Sequence, residues 1–148
     1  MTKIPSDLRP KAYASAELFL DMLYAVGKLA DIDLESIAIY VCVGEATMRP
    51  LLNNPELVAQ LADVDVPPDE VRGSITMLLV SDRLGLPRET VRRKMKHLIS
   101  LGLVYEDDAG RIRVAPNLAD ARMSEIVGSV HAAVGRYHIR LAQFGLAQ

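Results

Sequence analysis

Apolar residues recur at spacings of three and four between Lys11 and Ala30, where Phe19, Met22, Val26 and Leu29 fall on one face, so the first element is predicted as an amphipathic helix. Asp31-Ile32-Asp33 interrupts it, and either aspartate can accept a hydrogen bond from the free amides that open a second helix at Leu34. In that helix the run from Ile37 to Val43 is apolar on every side and β-branched, a composition that also describes a buried strand. The pattern continues through Glu45-Ala46-Thr47-Met48 before Arg49-Pro50, which predicts a central helix that stops there. Pro50, Pro55, Pro67 and Pro68, with Asn53-Asn54, mark a broken connection holding one short helix near Glu56 to Ala62.

After Gly73, Ser74-Ile75-Thr76 is expected as a short extended piece, followed by a helix from Met77 to Leu84 with Thr76 or Ser74 as its cap and Gly85 at its end. Leu86-Pro87 leads into a third strong helix, Arg88 to Leu101, with Gly102 just beyond it. Two alternating runs, Leu103 to Glu106 and Arg111 to Val114, flank Asp107-Asp108-Ala109-Gly110 and predict a β-hairpin. Asn117 is the expected cap of a last helix, Leu118 to Leu146, about 43 Å long at 1.5 Å per residue. The fold class is therefore mainly α, with a small β-hairpin and long terminal helices.

A length of 148 residues, half of them apolar, predicts one globular domain over 1–148. The longest stretch free of Asp, Glu, Lys and Arg runs only from Ile126 to Gly135, against about 20 residues for a membrane span. The charged, proline-containing N-terminus lacks the apolar core of a signal peptide, so a cytoplasmic location and no membrane partner are expected. One cysteine, Cys42, with His97, His131 and His138, supplies no metal-ligand cluster, and no cofactor is expected. No nucleophile elbow, P-loop or His-Glu-x-x-His is present, so an enzyme is not the expected class.

The net charge of −2 hides an asymmetry, because residues 83–113 carry eight Lys and Arg against four Asp and Glu. Local patches decide nucleic-acid binding, not the total. On the helix from Arg88, 100° per residue places Val91, Met95 and Leu98 on one buried stripe. Glu89, Arg93, Lys96 and Ser100 point the other way, with Thr90 and Arg92 flanking them. The first two turns thus gather cations at the positive end of the helix dipole, where phosphate is favoured. Upstream, Gly85 can make the sharp turn, Ser81 lets two helices approach, and Val80, Leu84, Leu86 and Val91 interlock, which is the spacing of a helix-turn-helix. In the hairpin, Arg111 and Arg113 share one strand face while Ile112 and Val114 face inward, as in a wing. Candidate DNA contacts are therefore Arg88, Glu89, Thr90, Arg92, Arg93, Lys96, Arg111 and Arg113. A run such as Arg-Arg-Lys-x-Lys is by itself most often a solvated face. Here the turn glycine, small residue, core spacing and basic hairpin converge on double-stranded DNA, the alternative being a winged helix used as a protein-contact adaptor.

The segment Ser74 to Val114, above all Leu84-Gly-Leu-Pro-Arg-Glu-Thr-Val-Arg-Arg followed by Leu98-Ile-Ser-Leu-Gly-Leu-Val104, resembles the winged helix-turn-helix transcriptional regulators, in particular the DNA-binding part of the MarR and IclR families. An IclR-like chain carries a large effector domain after the wing, where about 34 residues follow here; a MarR-like chain has this length but usually a longer, more basic wing. The resemblance implies a recognition helix over 88–101 in the major groove, a wing over 104–114 on the backbone, and a winged helix-turn-helix core over 74–114.

In the last helix Met123, Val127, Val130, Val134, Tyr137, Leu141 and Phe144 follow alternating spacings of four and three, an a/d seam that wants a partner helix. Ala121, Gly128, Gly135 and Ala142 repeat every seven residues beside it. Either both stripes pack on the first helix, or the terminal helices, 11–48 and 118–146, make a homodimer, which is the plan of MarR-like regulators. His131 and His138, roughly 10 Å apart along the axis, are too far apart for one metal and are expected to flank the interface. Cys42 is expected as an inert core thiol. Tyr13, Tyr24 and Tyr40 are candidates to line a cavity for a small-molecule effector, with plain core as the alternative.

Overall fold

The computed structural model describes residues 2–146. It is mainly helical, with helices α1 (Leu8–Val26), α2 (Leu34–Leu52), α3 (Pro55–Gln60), α4 (Met77–Leu84), α5 (Arg88–Ser100) and α6 (Ala121–Gln143), and a two-stranded antiparallel sheet of β1 (Val104–Glu106) and β2 (Ile112–Val114). Among the described residues no helix is long and apolar enough to cross a membrane. Contacts group the chain into two compact units: Ile32–Ala119, and the two terminal segments up to Asp31 and from Asp120.

In the central unit, Asp33 caps α2 by accepting the Ser36 amide hydrogen at 2.8 Å. The apolar run then makes α2 the hub: Ile37, Ile39, Tyr40, Val43 and Ala46 are buried, and the helix meets α3, α4, α5 and β2. Contrary to the expected stop at Arg49-Pro50, α2 continues through Pro50 to Leu52. A proline in the last turn forfeits only its own donation to the carbonyl four residues back, that of Ala46. The returning chain packs against this spot. Gly73 donates its amide hydrogen to Thr47 O at 2.8 Å, and a Cβ on Gly73 would sit 2.1 Å from Ala46 O. Gly73→Ala is therefore expected to destabilise the protein by about 1–3 kcal/mol through backbone overlap, read as a lower Tm; an unchanged Tm would mean the backbone retreats without cost.

Thr47 also ties α2 to the hairpin: its Oγ1 donates to Val43 O at 2.8 Å and accepts from the Val114 amide at 3.1 Å. β1 and β2 pair Val104 with Val114 and Glu106 with Ile112. The extended piece expected at Ser74-Ile75-Thr76 joins them, Ile75 and Ile112 exchanging both backbone hydrogen bonds at 3.0 and 2.7 Å. Ile75, Val104, Ile112 and Val114 are buried, so this edge closes the core against α2 and α5.

The terminal unit is an antiparallel helix pair. Asp21 meets Arg136 at 3.1 Å, Glu17 meets Arg140 at 3.0 Å, and Arg122 donates to Leu29 O at 3.3 Å. α1 lies earlier than expected, so Leu29 is buried beyond its end, while Phe19 is exposed and Met22 and Val26 are half-buried. α6 begins later, because Asp120 rather than Asn117 caps it; Asn117 instead donates its amide to Tyr40 Oη at 2.9 Å. With 23 residues, α6 is about 34 Å long. Its inward face is centred on Ile126, Val130, Ala133 and Tyr137, with Met123 and Leu141 at the ends. Four of the seven predicted seam residues, Met123, Val130, Tyr137 and Leu141, thus pack within the chain, while Val127, Val134 and Phe144 are exposed. Added Cβ atoms on Gly128 and Gly135 would meet nothing within 4 Å, so the small-residue stripe is open in the single chain.

Candidate nucleic-acid interface

Thr76 caps α4 by accepting the Leu79 amide hydrogen at 3.2 Å, and Gly85 ends it with φ +66°, a left-handed conformation that favours glycine. Ser81 closes the turn that follows: Leu86 donates its amide hydrogen to Ser81 O at 3.3 Å, and Ser81 Oγ donates to Leu86 O at 2.5 Å. The small residue expected only to let two helices approach is thus also a hydrogen-bonded clasp. Pro87 then starts α5 with no side-chain cap, leaving the first amides of the helix open to an anion.

Val91, Met95 and Leu98 are completely buried, which fixes the rotation of α5. Arg88, Glu89, Arg92, Arg93 and Lys96 are consequently exposed, and Thr90 is half-buried at their edge. These cations are not equivalent. Arg92 grips Glu89 with Nε 2.9 Å from Oε2 and with Nη2 on Oε1, and this guanidinium holds the Glu89 carboxyl below its usual range. Arg88, Arg93 and Lys96 have no ion-pair partner among the described residues. Lys94 points toward α2, where it pairs with Asp33 and lies 3.5 Å from Glu35. Four residues of the basic run therefore form the outer face, and the fifth ties α5 to the start of α2.

The Lys94 ammonium, helped by the Ser36 amide, lowers the Asp33 carboxyl from 3.8 to about 2. A carboxyl whose folded value is depressed contributes fully above its unfolded value and loses that contribution as pH falls toward the folded one. Wild-type Tm is therefore expected to lose an increment between about pH 4 and pH 2 that Asp33→Asn lacks from the outset. Parallel Tm profiles for the two proteins across that window would remove the ion pair's role.

The hairpin arginines differ from the sequence expectation. Asp107 Oδ1 accepts the amide hydrogens of Ala109 and Arg111 at 2.9 and 3.0 Å, folding the turn back so that Oδ2 meets Arg113 Nη1 at 2.6 Å. Arg113 is only 13% exposed and is spoken for by this carboxylate, so it is not available as the predicted phosphate contact. Alternation along the strand places residues 111 and 113 on one face but does not reveal that Asp107 turns back onto Arg113. Arg111 stays exposed, steadied by Ser74 through Nε at 2.5 Å. Arg111→Ala is expected to weaken DNA binding equally on all sequences and to flatten the salt slope by about one unit, whereas Arg113→Ala lowers Tm and leaves that slope unchanged. A sequence-specific loss in Arg111→Ala would mean that the hairpin reads bases.

Sequence reasoning missed a network behind the hairpin. Tyr105 Oη donates to Asp69 at 2.6 Å, while Arg72 donates to Tyr105 Oη at 3.2 Å and to Val114 O. Its one visible signal was a lone cation, Arg72, after the acidic stretch from Asp63 to Glu70. Elsewhere, Cys42 is half-buried, with burial pushing its thiol up and away from reactivity. Tyr40 is buried, whereas Tyr13 and Tyr24 are exposed; His131 and His138 are exposed on α6. No protein-family model matches the chain, and comparison with curated proteins and with solved structures gives no match either.

Proposed function

We propose that the chain is a winged helix-turn-helix regulator of transcription in the cytoplasm, binding double-stranded DNA sequence-specifically as a homodimer. The observation that carries this reading is the outer face of α5, where Arg88, Arg92, Arg93 and Lys96 stand exposed opposite the fully buried Val91, Met95 and Leu98. A rigid helix with an uncapped N-terminus and four protruding cations suits a major groove lined by phosphates. Arginine there can bond guanine O6 and N7 in bidentate fashion, which supplies sequence preference. The acidic turn at Asp107-Asp108 limits the hairpin to a backbone contact through Arg111.

The homodimer is supported by the terminal helix pair, which leaves Tyr13, Phe19, Leu20, Tyr24, Val127 and Phe144 exposed. Two helices alone do not enclose a core, and a second pair brought face to face would cover these side chains. A small-molecule effector is the third partner this reading admits. A gel-shift titration with duplex DNA over rising salt tests the DNA assignment: retardation that falls steeply between 50 and 200 mM salt is expected. The absence of any shift at low salt would favour the adaptor alternative.

A further inference from the structure

Within the central unit, a cavity of about 280 Å³ opens beside the C-terminal half of α2 and the chain after β2. Met48, Leu52, Val58, Val64 and Leu118 line it, and each leaves 43% or more of its surface exposed. Five large apolar side chains kept out of the core around one hollow form a surface that water covers poorly.

Arg72 also lines this cavity, and its side chain is only 7% exposed. Its Nη1 and Nη2 donate to neutral acceptors, the Tyr105 hydroxyl and the Val114 carbonyl, and its Nε–H makes no hydrogen bond among the described residues. The nearest carboxylate oxygen, on Asp69, lies 3.8 Å away on a side chain half exposed to water. A buried guanidinium held chiefly by neutral oxygens attracts an anionic acceptor. Asp65, the one acid on the lining, is exposed at the surface, where water screens it.

We propose that this cavity binds a medium-chain aliphatic carboxylate, with its chain among Met48, Leu52, Val58, Val64 and Leu118 and its head group against Arg72. Volume sets the chain length: the cavity is about twice the ~150 Å³ apolar void that takes benzene, enough for about eight carbons. Chain rather than ring follows from the walls, which carry no aromatic side chain for a ring to stack on. Because Arg72 also holds β1 through Tyr105 and β2 through Val114, an occupied cavity bears directly on the hairpin. The binding itself is independent of DNA recognition and stands or falls separately from it.

The test titrates the full chain with octanoate below its micelle-forming concentration, followed by calorimetry and by amide NMR shifts. Saturable one-to-one binding is expected, with shifts clustered at residues 47–52 and 114–118. Leu52→Glu and Val58→Glu alter side chains that are already exposed, so the fold is kept while a carboxylate enters the wall; each is expected to weaken octanoate by roughly tenfold or more. Octan-1-ol, which has the chain without the charge, is expected to bind wild type several-fold more weakly. The proposal is overturned by absent saturation, by affinity unmoved in both variants, or by octan-1-ol binding as tightly as octanoate. It is equally overturned if the same amides shift on dilution without ligand, since a second copy of the chain would then be the occupant.

Discussion

Arg93→Ala is expected to weaken binding to a selected duplex by about 1–3 kcal/mol, roughly 5- to 150-fold, with no fall in Tm. The side chain is exposed, carries no ion pair among the described residues and stands opposite the buried stripe of α5, so its removal leaves the core untouched. Arg92→Ala is expected to cost less, because Arg92 must first release Glu89, an exposed pair of the kind worth about 0–1 kcal/mol. Fluorescence anisotropy on the selected duplex and on a scrambled one separates the outcomes: a loss confined to the selected sequence marks base reading, and an equal loss on both marks a phosphate contact. Unchanged affinity in both variants would remove α5 from the interface.

The arrangement of α4, the turn at Gly85 and α5 was legible because its determinants are local. Gly85 supplies the left-handed turn, Thr76 and Pro87 fix the two helix starts, and the spacing of Val91, Met95 and Leu98 sets the rotation of α5. Long-range partners account for what was not legible. Arg113 has the strand position of an exposed cation, yet Asp107 turns back onto it. Pro50 reads as a stop, yet the approach of Gly73 stabilises the turn that contains it. In α6 the a/d spacing is correct as a pattern, but α1 packs closer to Ile126 and Ala133, a rotation that no single-helix periodicity distinguishes. The cavity beside Arg72 left almost no trace in the sequence, because its walls come from four separate segments, each bland by itself.

That rotation reshapes the expected assembly phenotype. Val130 is half-buried within the chain, so a carboxylate there would disturb the helix pair as well as any dimer. Leu20, 67% exposed on α1, and Val134, 37% exposed on α6, are cleaner probes. Leu20→Glu and Val134→Asp are each expected to convert a dimer to a monomer, since an unpaired carboxylate in an apolar contact costs several kcal/mol. Under the proposed function, DNA affinity is expected to fall with assembly, because a monomer would keep one DNA-contacting helix where a dimer would span two half-sites. Sedimentation at micromolar concentration reads the assembly, and circular dichroism checks that the helices survive. A monomeric wild type, or variants that remain dimeric, would place these side chains outside the interface.

Selection from a pool of random duplexes with the full chain tests sequence-specific recognition by a dimer most directly. The predicted result is enrichment of a palindromic or near-palindromic site whose halves lie one helical turn apart, about 10–10.5 base pairs centre to centre or a multiple of it. Recovery of unenriched sequence after several rounds, from protein that remains folded, would contradict it.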